Sequence, residues 1–138
     1  MSIQLNHIII PAKDKWASAR FLANILGVMA GPEWGPFVSV TVDNGVTLDY
    51  AEAEHMGADP NAIQPQHCAF LVGDAEFDGA LGRLRQSDVG IYAGPGHAQA
   101  GEINHLYGGR GVYFDDPDGH ILELITAPYG EHPRTVTR

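Results

Sequence analysis

Four side chains able to bind a cation recur at matching places along this chain. His7 sits in Asn6-His7-Ile8-Ile9-Ile10 and His67 in Gln66-His67-Cys68-Ala69-Phe70, each an amide residue, a histidine and an apolar run, sixty positions apart. Asp49 closes Asn44-Gly45-Val46-Thr47-Leu48-Asp49, and Glu123 closes Asp118-Gly119-His120-Ile121-Leu122-Glu123, each carboxylate four residues after its glycine. Strand parity puts His7 on one face with Leu5 and Ile9, His67 with Ala69 and Leu71, and Glu123 with Ile121 and Ile125. A carboxylate on such an apolar face is costly unless it has a strong partner. Two imidazoles and one or two carboxylates are the donor set of a divalent cation. Taken singly, each histidine is a hydrogen-bonded core residue, and Glu123 could pair with Arg110 or Arg83. The recurrence in both halves is what assigns His7, His67 and Glu123 to a metal. Asp49 is either a fourth ligand or a neighbouring-strand or substrate-facing residue.

The elements that must carry these residues repeat as well. Asp14 and Asp74 each stand seven residues after a histidine, where a short carboxylate can cap a helix. The apolar spacing predicts helices over 15–26 and 75–86, with Gly27 and Gly90 near their ends. Strands are expected at 36–42 and 46–51 in the first half, and near 104–107, 111–115 and 120–126 in the second. The carboxylate segments are offset by 74 positions and the histidines by 60, so the second half carries an insertion, placed at the Gly-rich stretch 93–110. The chain therefore divides into a first module (1–53), a linker (54–65) rich in Gly and Pro, a second module (66–128) and a tail (129–138). A unit of this size barely buries its own sheet face, so two copies are expected to pack.

Bulk properties exclude several classes. With 138 residues, 44% hydrophobic and 18% charged, the chain has the size and composition of one folded domain. Seventeen acidic against eight basic side chains, a net charge of −9, argue against a nucleic-acid partner. No apolar run approaches the roughly 20 residues a membrane helix needs, and the start carries no secretion-signal pattern. Cys68 is the lone cysteine, an expected core thiol that fits a reducing, cytoplasmic location.

Three segments resemble the vicinal oxygen chelate superfamily: Leu5-Asn6-His7, the helix end Phe21-Leu22-Ala23-Asn24-Ile25-Leu26-Gly27, and Arg110-Gly111-Val112-Tyr113-Phe114-Asp115-Asp116-Pro117-Asp118-Gly119-His120-Ile121-Leu122-Glu123. The resemblance, spanning nearly the whole chain, implies an α+β fold of two tandem βαβββ modules forming a curved mixed sheet around a metal. It aligns His7, His67 and Glu123 with the family's metal triad, holding one divalent ion: iron, manganese, nickel or zinc. Members share metal-assisted electrophilic catalysis on adjacent substrate oxygens, and often pair as homodimers. Glyoxalase I members use four protein ligands, which would employ Asp49, but no early glutathione-gripping arginine is present. Ring-cleaving dioxygenases use the two-His, one-carboxylate triad with a tyrosine where Tyr113 stands; His55 is the nearest match to their further histidine. Fosfomycin-resistance proteins share that tyrosine, but carry a threonine where this chain has Ile9 and basic loop residues missing from 94–109.

The expected function is thus a metal-dependent enzyme acting on a small oxygenated substrate: a lyase, an isomerase or a ring-cleaving dioxygenase. The alternative is a non-catalytic, drug-binding protein of the bleomycin-resistance type, which sequesters its ligand in an acidic groove and generally lacks the metal residues. Tyr113, His105 and Arg110 are the candidate catalytic residues. His97 and Glu102 share the inserted loop with His105. His55 and His132 read as surface residues, and Trp34 and Phe37 as sheet-packing aromatics or pocket walls.

Overall fold

The structure, a computed structural model, describes residues 2–130. Most of the 129–138 tail, with His132, lies outside them. The contacts divide the chain into two compact units, 1–66 with 116–120, and 67–115 with the chain from Ile121 onward. Each unit is a βαβββ-type module, so the fold is α+β as the resemblance implies.

In the first unit, strand β1 (His7–Ala12) leads into helix α1 (Lys15–Leu26), followed by β2 (Ala30–Trp34), β3 (Phe37–Thr41) and β4 (Thr47–Glu52). The sheet order is β1-β4-β3-β2, with β1 parallel to β4 and the other pairs antiparallel. Asp14 caps α1, its carboxylate accepting from the Ala17 N–H at 3.1 Å. Such a cap contributes about 1 kcal/mol. Gly27 ends the helix in a left-handed turn, φ 75°, returning its N–H to Ala23 and Asn24. The sheet's buried residues include Ile10, Val38, Val40, Leu48 and Tyr50, and those of α1 include Leu22 and Ile25. Strand β2 had no clear signature in the sequence. Its Ala-Gly-Pro-Glu-Trp run lacks apolar alternation, and it lies at the sheet edge, where proline is tolerated.

The turn 116–120 completes this unit through His120, which is 1% exposed. Its Nε2–H donates to the Pro11 carbonyl at 2.7 Å and its Nδ1 accepts from the Gln66 N–H at 2.9 Å. Asp118 accepts from the Ser18 hydroxyl at 2.8 Å. The Asp-Pro-Asp-Gly-His segment is therefore an anchor as well as a turn.

In the second unit, β5 (His67–Leu71) and helix α2 (Asp74–Gln86) precede β6 (Tyr92–Gly94), β7 (Ala98–Ala100), β8 (Gly111–Asp115) and β9 (Ile121–Ile125). The order is β5-β9-β8-β6-β7, and β5 runs parallel to β9. Phe77, Leu81 and Leu84 of α2 are buried, as are Ala93, Val112, Phe114, Leu122 and Leu124 of the sheet.

Three expectations need correction here. Asp74 is the first residue of α2 and not its cap; Gly73 precedes it, with no side-chain cap bond. The Asp74 carboxylate is drawn instead to Arg110, at 3.0 Å. The helix ends at Gln86 as expected, but its C-cap is Ser87 and not Gly90. Of the strand expected near 104–107, only Asn104 pairs, with Gly111, while Leu106–Gly108 forms a 3-10 turn. Half of the inserted stretch folds instead as the short β6–β7 hairpin.

Candidate metal-binding site

The strand registers reproduce the sequence repeat residue by residue. In the first unit His7 pairs with Thr47, Ile9 with Asp49 and Ser39 with Asp49. In the second, His67 pairs with Ile121, Ala69 with Glu123 and Tyr113 with Glu123. Each histidine is thus diagonal to a carboxylate on the neighbouring parallel strand, and each carboxylate has a hydroxyl-bearing residue across the antiparallel pair.

The second unit closes this arrangement into a cluster. Glu123 is 0% exposed. Its Oε1 lies 3.1 Å from His67 Nε2, and its Oε2 accepts from the Tyr129 hydroxyl. His67 Nδ1 stands 3.0 Å from the Ile121 carbonyl. A carbonyl only accepts, so Nδ1 carries a proton and Nε2 is the ring nitrogen turned to the carboxylate. Nε2 and Oε1 at this distance share a proton as a hydrogen bond, and the same two atoms are a donor pair for a metal. Glu123 and His67 therefore fit a divalent ion, with the carbonyl bond fixing the ring as second partners of metal-bound histidines do.

Tyr113 joins the cluster. Its ring lies nearly parallel to His67, centroids 6.1 Å apart and planes 19°, and its hydroxyl is 3.1 Å from that of Tyr129. Burial, followed by the bond from Tyr129 to Glu123, raises the Tyr129 pKa well above the ordinary phenol value. Tyr113 is raised as well, mainly by burial. Tyr129 was absent from the sequence reading. It lies six residues past Glu123, beyond the last strand, where no periodicity marks a side chain as inward.

The first unit closes its half differently. Asp49, 2% exposed, accepts from the Ser39 hydroxyl at 2.7 Å, and Ser39 accepts from the Trp34 indole N–H at 3.0 Å. His7 is exposed, with Nδ1 2.7 Å from Asn6 Oδ1, so Nε2 is the ring nitrogen not turned to Asn6. Among the described residues no three His, Cys, Asp or Glu side chains stand together as a ready-made cation site.

The remaining candidates are placed elsewhere. Arg110 is held by α2, bonding Asp78 at 2.7 Å and Asp74 at 3.0 Å with its guanidinium over the Phe77 ring. Those bonds raise its pKa and give it a structural task. His105 precedes the Leu106–Gly108 turn and is exposed; no contact among the described residues joins it to His67 or Glu123. His97 bonds Asp115 at 2.6 Å and stacks on Tyr92. His55 lies edge-on to Phe37 at 5.9 Å, and Trp34 is half-exposed beside the same ring. Cys68 is half-buried.

Residues 4–124 match the Glyoxalase/Bleomycin resistance protein/Dioxygenase superfamily, and the chain belongs to that superfamily. Among solved structures it is similar to Oxidase ChaP-H2, at 52% identity and a TM-score of 0.87 over 94% of this chain and 98% of that one. Among curated proteins it is similar to the glutathione transferase FosA of Serratia marcescens, 31% identical over 121 residues, covering 87% of this chain and 78% of the relative. It also resembles the metallothiol transferase FosB of Staphylococcus haemolyticus, 25% identical over 88% of this chain and 82% of the relative. No helix among the described residues is long and apolar enough to cross a membrane.

Proposed function

We propose that the protein is a metal-dependent oxidase of the ring-cleaving dioxygenase kind, acting on a small hydroxylated substrate. One observation carries the metal: the buried Glu123 carboxylate facing His67 Nε2 at 3.1 Å. The choice of oxidation over lyase or isomerase chemistry follows the 52% likeness to an oxidase over nearly the full chain.

His67 Nε2 and Glu123 Oε1 are two of the donors, and the family resemblance supplies His7, of this chain or of a second copy, as the third. Its own Nδ1 is engaged by Asn6, so it offers Nε2 as His67 does. Asp49 supports the first module through Ser39 and Trp34 and remains the candidate fourth ligand. Bound there, a divalent ion supplies Lewis-acid polarisation of adjacent substrate oxygens and open positions for them. Tyr113, on the face of β8 opposite Glu123, is placed to hydrogen-bond a substrate oxygen. Burial of the carboxylate strengthens each of these electrostatic contacts. We place the protein in the cytoplasm as a homodimer with no nucleic-acid or membrane partner.

The test is oxygen uptake by the iron-loaded protein with catechol or 4-nitrocatechol. Consumption that disappears in His67→Ala supports the reading. No consumption, together with metal-dependent conversion of a hemithioacetal, would replace it with the lyase reading. The 31% identity to FosA favours a second reading, thiol transfer to fosfomycin, which the same preparation tests with glutathione.

A further inference from the structure

Nothing in the strand pairing explains why a tyrosine from beyond the last strand ends on Glu123. The residue across the sheet from Glu123 is Tyr113, and its hydroxyl bonds that of Tyr129 at 3.1 Å. In the first unit the cross-strand residue is Ser39, and its short side chain reaches Asp49 directly. In the second unit the hydroxyl on Glu123 Oε2 comes from Tyr129, which in turn bonds the cross-strand Tyr113. Two different chains of donors, Trp34 to Ser39 to Asp49 and Tyr113 to Tyr129 to Glu123, thus arrive at equivalent carboxylates. A hydroxyl bond at this position recurs although the residues supplying it do not.

We propose that Tyr129 is a positioning residue of the metal site, holding Glu123 by Oε2 so that Oε1 alone is presented beside His67. The inference rests on the metal reading above. Glu123 is fully buried, and its two oxygens are divided between His67 and Tyr129. A carboxylate bonded in this way at one oxygen offers the other as a single donor. Without the bond it is free to turn and offer both.

The proton count orders the rest of the chain. Tyr129 has one hydroxyl proton and gives it to Glu123 Oε2, so the Tyr113 O–H donates to the Tyr129 oxygen. Tyr113 then keeps lone pairs for a ligand and has no proton to give it. The Tyr129 ring is itself held against Tyr107, centroids 5.2 Å apart, so the phenol is supported from both sides.

Cobalt(II) titration of the metal-free, full-length protein tests this, read by the visible ligand-field spectrum and the dissociation constant. Tyr129→Phe keeps the ring contact and removes only the hydroxyl. It should weaken cobalt binding by about 10–100-fold, the effect typical of losing a partner of a metal ligand. Its visible bands should also fall as Glu123 becomes bidentate and the coordination number rises. Tyr113→Phe, which leaves the bond to Glu123 in place, should change the constant by less than about 3-fold, the scatter expected around a partner one step removed from the ligand. The melting temperature of the metal-free Tyr129→Phe protein should fall by only a few degrees, the cost of one hydrogen bond, so that lost cobalt is not lost fold. A Tyr129→Phe protein with wild-type affinity and spectrum, whose cobalt is still lost in His67→Ala, overturns this inference alone. Wild-type binding that is indifferent to His67→Ala overturns it together with the metal reading.

Discussion

Replacing His120 by alanine removes two hydrogen bonds and an imidazole ring from a site that is 1% exposed. The Pro11 carbonyl loses its donor, and the Gln66 N–H loses its acceptor. Each bond contributes about 1 kcal/mol. Pro11 is half-buried, whereas Gln66 is exposed, so water can replace the Gln66 bond more easily. The vacated ring volume adds at least about 1 kcal/mol of lost packing. The total is about 3 kcal/mol, which at roughly 3 °C per kcal/mol for a chain of this length lowers the melting temperature by about 9 °C. The turn should keep its own closure, because Asp116 accepts from the backbone N–H groups of Asp118 and His120. His120→Asn can keep an acceptor for Gln66, and His120→Gln can keep a donor for Pro11. Both should fall between wild type and alanine. Urea denaturation followed by far-UV circular dichroism gives the free energies. An alanine variant within 1 kcal/mol of wild type, or an asparagine variant as unstable as alanine, would refute the reasoning.

Two further outcomes follow from charges in the structure. Asp116 is buried with Oδ2 lacking a hydrogen-bond partner, and burial raises its pKa above 3.8. The folded state therefore holds this proton more tightly than the unfolded state, so its ionisation costs stability as pH rises from about 4 through the raised value. Asp116→Asn should abolish that loss, and urea midpoints of variant and wild type should diverge in the variant's favour between pH 4 and 7. Parallel curves would contradict the assignment. Arg110→Leu should lower the melting temperature through loss of the Asp74 and Asp78 bonds while leaving metal uptake unchanged; loss of metal at unchanged stability would return Arg110 to the site.

The repeat was legible because it is written in residue types whose burial needs a reason. A histidine and a carboxylate on apolar strands stand out, and alternation places them on one face. Register then follows, since the parallel pairs β1–β4 and β5–β9 align each histidine two residues from its carboxylate's level. Less could be read where order comes from long-range partners. The strands Tyr92–Gly94 and Ala98–Ala100 are too short for periodicity and contain or adjoin glycine and proline. The bonds of Arg110, a candidate catalytic residue, to Asp74 and Asp78 were not legible, because the sequence could not bring that pair to it. Those two are four residues apart and share one helical face, so the anionic pair was visible while its partner was not. Asp49 was recognised as the counterpart of Glu123. Its closure by Ser39 and Trp34 depends on the β2–β3–β4 pairing, part of which runs through an edge strand without a pattern.

The metal assignment depends most directly on the facing His67 Nε2 and Glu123 Oε1, and metal content is the measurement closest to them. Protein reconstituted with iron(II), manganese(II) or zinc(II), freed of excess and analysed for bound metal should hold about one ion per chain, as a three-donor site of this type requires. Glu123→Gln preserves the shape of the side chain and its bond from Tyr129, but removes the carboxylate charge, and should hold far less. Equal metal in both proteins, or none in the wild type, would contradict the account.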